Sequence, residues 1–204
     1  MKTHPHSRRL ICSACLLALA LAGCLGTSRP VDFFTLTPLP RPAGGADATP
    51  GTIIALYPVV IPEYLDRPQI VTRPDDNQIT PSEFNRWGGS LKHAFANVLV
   101  ENLNVLLAGR RAHVMFDTLT FDPSYLLTVT VNRFDGKLGE AVWLNAAWSI
   151  WDVRAKKISA VKTSLIQERP EAAGYAALVA AESRALAALS REIAGELDRG
   201  LKSP

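Results

Sequence analysis

Three strand-like segments follow one another between Tyr125 and Gln167 with no helix between them, and this succession limits the fold more than any other feature of the chain. The segments are residues 125–134, 140–151 and 157–167. In the first, Leu127, Val129 and Val131 alternate with Thr128, Thr130 and Asn132, the two-residue period of a sheet with one buried face. Asp135-Gly136, with Gly139 close by, reads as the hairpin turn into the second strand, and Arg154-Ala155-Lys156-Lys157 as the turn into the third. Turns this short join antiparallel strands, because a parallel pair needs a crossover of a dozen or more residues.

The rest of the chain supplies further strands and two helices. Pro170 ends the strand region, and a helix is expected over about 172–197. Ten of the 23 residues from 172 to 194 are alanine, which favours helix and leaves a smooth surface for close packing. Tyr175, Leu178, Val179, Leu186, Leu189, Ile193 and Leu197 form its apolar stripe, with Glu182, Arg184, Arg191, Glu192 and Glu196 mostly off it. An earlier helix is expected over 90–108. There Leu91, Phe95, Val98, Leu99, Asn102, Leu103 and Leu106 keep the 3.6-residue period, Ser82 or Ser90 can cap the start, and Gly109 is a natural stop. Upstream, residues 32–36 read as a strand and 38–51 as a proline- and glycine-rich loop. The run 52–61 reads as a strand interrupted by Pro58, hence an edge or bulged one. Short strands at 69–72 and 77–80 flank the turn 73–76, and 112–116 is another strand. The order of strands, helix, meander and helix, without βαβ alternation, points to an α+β fold. We expect an antiparallel or mixed sheet with two main helices packed on one face, in a single domain over 32–200.

The N-terminus has a different character. Lys2, Arg8 and Arg9 precede the uncharged run Leu10 to Gly23, which is too short for the roughly 20 residues of a membrane-spanning helix but suits the core of a secretion signal. The run ends in Leu21-Ala22-Gly23-Cys24, which resembles the lipobox of bacterial lipoproteins. Small residues admit the signal peptidase, and the Cys24 thiol receives the lipid. Residues 1–23 are therefore read as a signal peptide for Sec export and 24–31 as a lipidated tether. Cys12 and Cys15 leave with the signal, so the mature chain is expected to have neither a free thiol nor a disulfide. One acyl chain, at about 0.8 kcal/mol per buried CH2, anchors only marginally, whereas the three chains of the lipoproteins it resembles would hold permanently. Leu25 follows the cysteine in place of the aspartate of inner-membrane lipoproteins in enteric bacteria. Anchoring to the outer membrane, facing the periplasm of a Gram-negative envelope, is the expectation.

Charge and motifs exclude several functions. Without the three basic residues of the signal, the 22 Lys and Arg fall level with the 19 Asp and Glu, and a neutral body has no general attraction for nucleic acid. The chain has no G-x-S-x-G elbow, no phosphate loop and no G-x-G-x-x-G. His93 and His113 stand alone, so no metal site is expected, and Asp75-Asp76 reads as a solvated turn. No catalytic residue and no cofactor other than the covalent lipid on Cys24 is expected.

The segment Pro62 to Arg73 carries the remaining information. Mixed charge beside an aromatic residue and two prolines makes a rigid corner, which an Asp66–Arg67 or Glu63–Arg67 ion pair could close, worth about 0–1 kcal/mol if exposed. Tyr64-Leu65-Asp66-Arg67-Pro68-Gln69-Ile70-Val71-Thr72-Arg73 resembles the signature of the PqiC (YmbA) family, auxiliary lipoproteins of ABC-type and MCE-type intermembrane transport systems. Asp32-Phe33-Phe34-Thr35-Leu36, Glu83-Phe84-Asn85-Arg86-Trp87 and Val100-Glu101-Asn102-Leu103 agree with it. A departure is Gly88-Gly89-Ser90-Leu91 after Trp87, where family members commonly have Ala-Glu-Pro-Leu. The resemblance implies a non-catalytic docking role in moving phospholipid between membranes. Its partners would be an MCE-domain protein and an inner-membrane permease system, with a homo-oligomeric ring as a further expectation. Tyr64, Leu65, Asp66, Arg67, Pro68, Gln69 and Trp87 are the candidate partner-binding residues. The competing readings are a lipid carrier holding acyl chains between sheet and helices and, more remotely, an envelope hydrolase.

Overall fold

The computed structural model describes residues 29–41, 51–116 and 122–202. The signal peptide, Cys24, most of the tether and most of the 38–51 loop lie outside the described residues. All eight strands join one sheet: β1 (Asp32–Phe34), β2 (Thr52–Leu56), β3 (Gln69–Asp75), β4 (Gln78–Trp87), β5 (Ala112–Phe116), β6 (Tyr125–Lys137), β7 (Ala141–Asp152) and β8 (Lys157–Glu168). Two helices complete the fold, α1 (Leu91–Leu106) and α2 (Tyr175–Lys202).

β6 is the spine. Along one side it pairs antiparallel with β7, which pairs antiparallel with β8, as the meander requires. Its other side is shared between two groups of strands. Near the start of β6, Ile54–Leu56 of β2 lie parallel to Tyr125–Leu127, with β5 parallel to β2 beyond. Near its end Thr72 of β3 pairs with Gly136, and β4 and β1 follow outward. The sheet is therefore mixed, and the fold class is the α+β one expected.

Both helices cover one face. Leu127, Val129 and Val131 point into the core, then a one-residue register shift at Asn132 changes the phase so that Phe134 does. Val142, Leu144, Ala146, Trp148 and Ile150 do the same from β7. Phe134 meets Phe95 of α1 edge to face, with ring centres 5.2 Å apart. Each fully buried aliphatic or aromatic side chain contributes about 1.5–3 kcal/mol, so this layer drives folding. The alanines of α2 allow close approach, Ala181 and Ala185 being wholly buried. Polar groups in the helix seam are satisfied: Asn102 donates to Ser190 Oγ and accepts from the backbone N–H of Leu39, while Ser183 Oγ accepts from Thr37.

Several local expectations are corrected. Pro58 ends β2 at Leu56 instead of making it an edge; the strand lies between β5 and β6, and the chain rejoins β6 at Val60. α1 stops at Leu106, before Gly109, and the left-handed residue is Arg111 (φ 51°). Ser90 caps α1, its Oγ accepting from His93 N, whereas Ser82 is buried within β4. Asp135-Gly136 is not a turn but the end of β6. A Cβ on Gly136 would lie 2.6 Å from the carbonyl oxygen of Ala141, so only glycine fits there. The hairpin turn comes later, with Gly139 at φ 73°. Glu182 sits on the buried face of α2, 1% exposed.

Candidate functional site

The Pro62–Gln69 corner has two sides. Glu63–Leu65 form one 3-10 turn, whose hydrogen bonds run from Leu65 N to Pro62 O and from Asp66 N to Glu63 O. Leu65 is driven into the core, and Tyr64 is half-buried against it. The Tyr64 hydroxyl donates to Asp135 Oδ2 at 2.7 Å. Asp135 is fully buried and accepts from Arg73 Nε, at 3.1 and 3.2 Å to its two oxygens, and from Arg133 Nε at 2.8 Å. The Arg73 guanidinium lies 5.5 Å from the Tyr64 ring centre, and that of Arg133 lies 4.4 Å from Trp143. Burial, reinforced by the hydrogen bond and the negative charge of Asp135, pushes the Tyr64 hydroxyl up to about 12. One carboxylate between two guanidiniums and a phenol is a charge-compensated clasp, and it ties the corner to β3 and β6.

Glu182 belongs to the same neighbourhood. Burial pushes its carboxyl well above the usual carboxylate range, and the Asp135 charge adds to the effect. Its Oε2 has no hydrogen-bond partner among the described residues.

The outer side of the corner is open. Asp66, Arg67 and Pro68 are exposed and line a cleft of about 400 Å³ with Phe33, Trp87, Gly88, Gly89 and Ser90. Trp87 forms the floor: it is 5% exposed, belongs to the core, and its backbone N–H donates to Pro68 O at 2.7 Å. Phe33 on the rim is 67% exposed, an unusual position for so large an apolar ring. Arg67 makes no ion pair among the described residues, so neither the Asp66 nor the Glu63 pairing closes the turn. Gln69, half-buried, opens β3 opposite Arg86 of β4, whose Nε is buried without a hydrogen-bond partner among the described residues.

The sequence-chosen residues thus divide. Asp66, Arg67, Pro68 and Trp87 come together at the cleft, while Tyr64 and Leu65 face inward and Gln69 begins a strand. The clasp residues Arg73, Arg133 and Asp135 were not among the candidates. Asp135 was hidden by the turn-like Asp-Gly pair and by the register shift at Asn132, which breaks the alternation before it reaches Asp135. Among the described residues no group of His, Cys, Asp and Glu could hold a metal ion, and no helix is long and apolar enough to cross a membrane.

The profile of the ABC-type transport auxiliary lipoprotein component family matches residues 34–194, and the chain belongs to that family. Its members are membrane-anchored lipoproteins associated with ABC-type transport, which is the resemblance read from the signature. Two solved structures share the fold. One, described only as an uncharacterized protein, is 22% identical over 83% of this chain and 99% of its own, with a TM-score of 0.70. Protein XCC0632 from Xanthomonas campestris is 17% identical over the same shares, with a TM-score of 0.64. Among curated protein sequences nothing matches significantly.

Proposed function

We propose that this chain is a non-catalytic docking component of an intermembrane phospholipid transport system, held in the outer membrane by lipid on Cys24. In this reading the cleft receives an MCE-type partner of an inner-membrane ABC permease, and copies of the chain assemble into a ring. The observation that carries it is Arg67, a solvated cation with no ion pair among the described residues, beside the exposed Phe33 ring. Arginine and aromatic residues are the groups that most often anchor interfaces. The filled space between sheet and helices, where Leu144, Leu186 and Leu189 are buried to 1% or less, favours docking over carriage of an acyl chain.

Affinity capture of the lipidated protein from membranes tests it. MCE and permease subunits should co-purify with the wild-type chain and be lost with Arg67→Ala. Capture unchanged by that substitution places the contact elsewhere. Cys24→Ser should move the protein from the outer-membrane fraction to the soluble periplasm, and continued fractionation with the outer membrane would falsify the anchor.

A further inference from the structure

Beyond β1 the chain crosses the helix seam as a strap, Thr37 to Pro40. The Thr37 N–H donates to Ser183 Oγ of α2 and the Leu39 N–H to Asn102 Oδ1 of α1, so both helices hold it in place. Against the outer face of α2 the strap forms a groove of about 450 Å³, with Pro38 and Leu39 on one side and Ala180, Arg184 and Ala187 beneath. The groove lies outside the packed layer between sheet and helices, so the filled interior does not bear on it.

Two arginines stand along this groove, seven residues or about 10 Å apart on the helix, and their situations differ. Arg184 is engaged: it pairs with Glu168 and Glu171 and donates to the Arg169 carbonyl. Arg191 is exposed and makes no ion pair among the described residues. Its neighbours one turn away on α2 are Ala187, Ala188, Ala194 and Gly195, none of them charged. Glu192, the next residue, is turned to β8, where it accepts from Ser164 Oγ. Both carboxylates near the groove are thus held by Arg184, while Arg41, which follows the strap, and Arg169 add positive charge. An anion is what the Arg191 end selects.

The wall restricts the rest of the ligand. A peptide would need donors for its own carbonyl groups. Pro38 and Pro40 have no N–H, those of Thr37 and Leu39 are taken, and those of α2 bond within the helix. An alkyl chain needs no donor and gains by leaving water beside Pro38, Leu39 and the alanines. We propose that the groove binds an anionic amphiphile, its carboxylate or phosphate head on Arg191 and its alkyl chain between the strap and Ala180. Arginine meets either head with two parallel hydrogen bonds. The groove shares no lining residue with the cleft beside Arg67.

The test places the lipidated full chain in phosphatidylcholine vesicles that contain palmitate carrying a photoreactive diazirine. After irradiation, peptide mass spectrometry should find label on residues 37–40 and 180–187. The corresponding alcohol at equal membrane concentration, or Arg191→Gln, should give about tenfold less label, since one charge-assisted contact is lost. Ala180→Trp should fill the groove and remove the label with Arg191 still present. Both substituted positions are exposed, so unfolding should be unchanged, and the alcohol arm requires no variant to fold. Phosphatidic acid carrying the same diazirine chain separates the sources. Label from palmitate alone assigns a free carboxylate and label from phosphatidic acid alone a lipid headgroup; either result supports the site. Absence of groove label from both probes, or equal label from palmitate and the alcohol, overturns the proposal. So does label that disappears as protein density in the vesicle is raised, which would give the groove to a second copy. Partner capture through Arg67 is read on a different surface, so the two readings fail separately.

Discussion

Tyr64 and Arg67 are three residues apart and occupy opposite chemical environments. Tyr64 points inward, where every polar partner it has is itself held: Asp135 between Arg73 and Arg133, with the phenol as its third donor. Arg67 points outward into a cleft and makes no ion pair among the described residues. The difference shows that one continuous signature performs two tasks. Inside, a lone carboxylate would be costly, so the fold surrounds it with donors. Outside, water solvates the guanidinium, and no internal partner is required. The clasp holds the corner so that the cleft is presented in one shape.

The inner side depends most on Asp135. Asp135→Asn leaves two guanidiniums facing a neutral amide, and loss of one partner from a buried charge network should destabilise the fold by about 3 kcal/mol. Urea unfolding checks this, and a loss below about 1 kcal/mol would show that the clasp is not what fastens the corner. Tyr64→Phe removes only the hydroxyl donor and keeps the ring beneath Arg73. The expected cost is about 2 kcal/mol, that of a hydrogen bond to a charged acceptor. The two substitutions act on one network, so the double variant should lose less than the sum of the singles.

How much of this was legible depends on the range of the interactions involved. The meander, both helices and the α+β class follow from periodicity, because each strand and helix repeats its pattern over many residues. The sharing of β6 between β2 and β3 was not legible, since sequence pattern does not specify which strand pairs with which across a long separation. Pro58 signalled a break correctly but not its location inside the sheet. Asp135 and Glu182 illustrate the harder failure: each is polar, so local reasoning places it in a turn or on a solvated face. Their burial is decided by Arg73 and Arg133 for the one and by the packing of α2 for the other. The cleft was partly legible, because Asp66, Arg67 and Pro68 had to be exposed in any rigid polar corner. That Trp87 forms its floor required the β3–β4 pairing.

Glu182 gives the inner side a pH dependence. Its folded carboxyl titrates well above the usual range, so the native state retains a proton that the unfolded chain releases near its ordinary value of about 4.3. Between those two values the native state binds more protons, and stability from this group must fall as pH rises. Glu182→Gln keeps the shape but cannot ionise, so its stability should decline less across that window than the wild type does. Thermal unfolding followed from pH 4 upward compares the two curves; parallel curves would mean that Glu182 does not titrate in the folded state as its burial requires.

Arg67→Ala should have the smallest effect on folding and the most selective effect on function. The side chain is exposed and unpaired among the described residues, so its removal should change stability by no more than about 0.5 kcal/mol. The backbone bond from Arg67 N to Leu65 O survives the substitution, and the clasp behind it is untouched. Melting temperature and partner capture measured on the same preparation separate the alternatives. An unchanged melting temperature with capture lost assigns Arg67 to recognition. If both fall together, Arg67 supports the turn, and the contrast between a fastened inner side and a free outer side no longer holds.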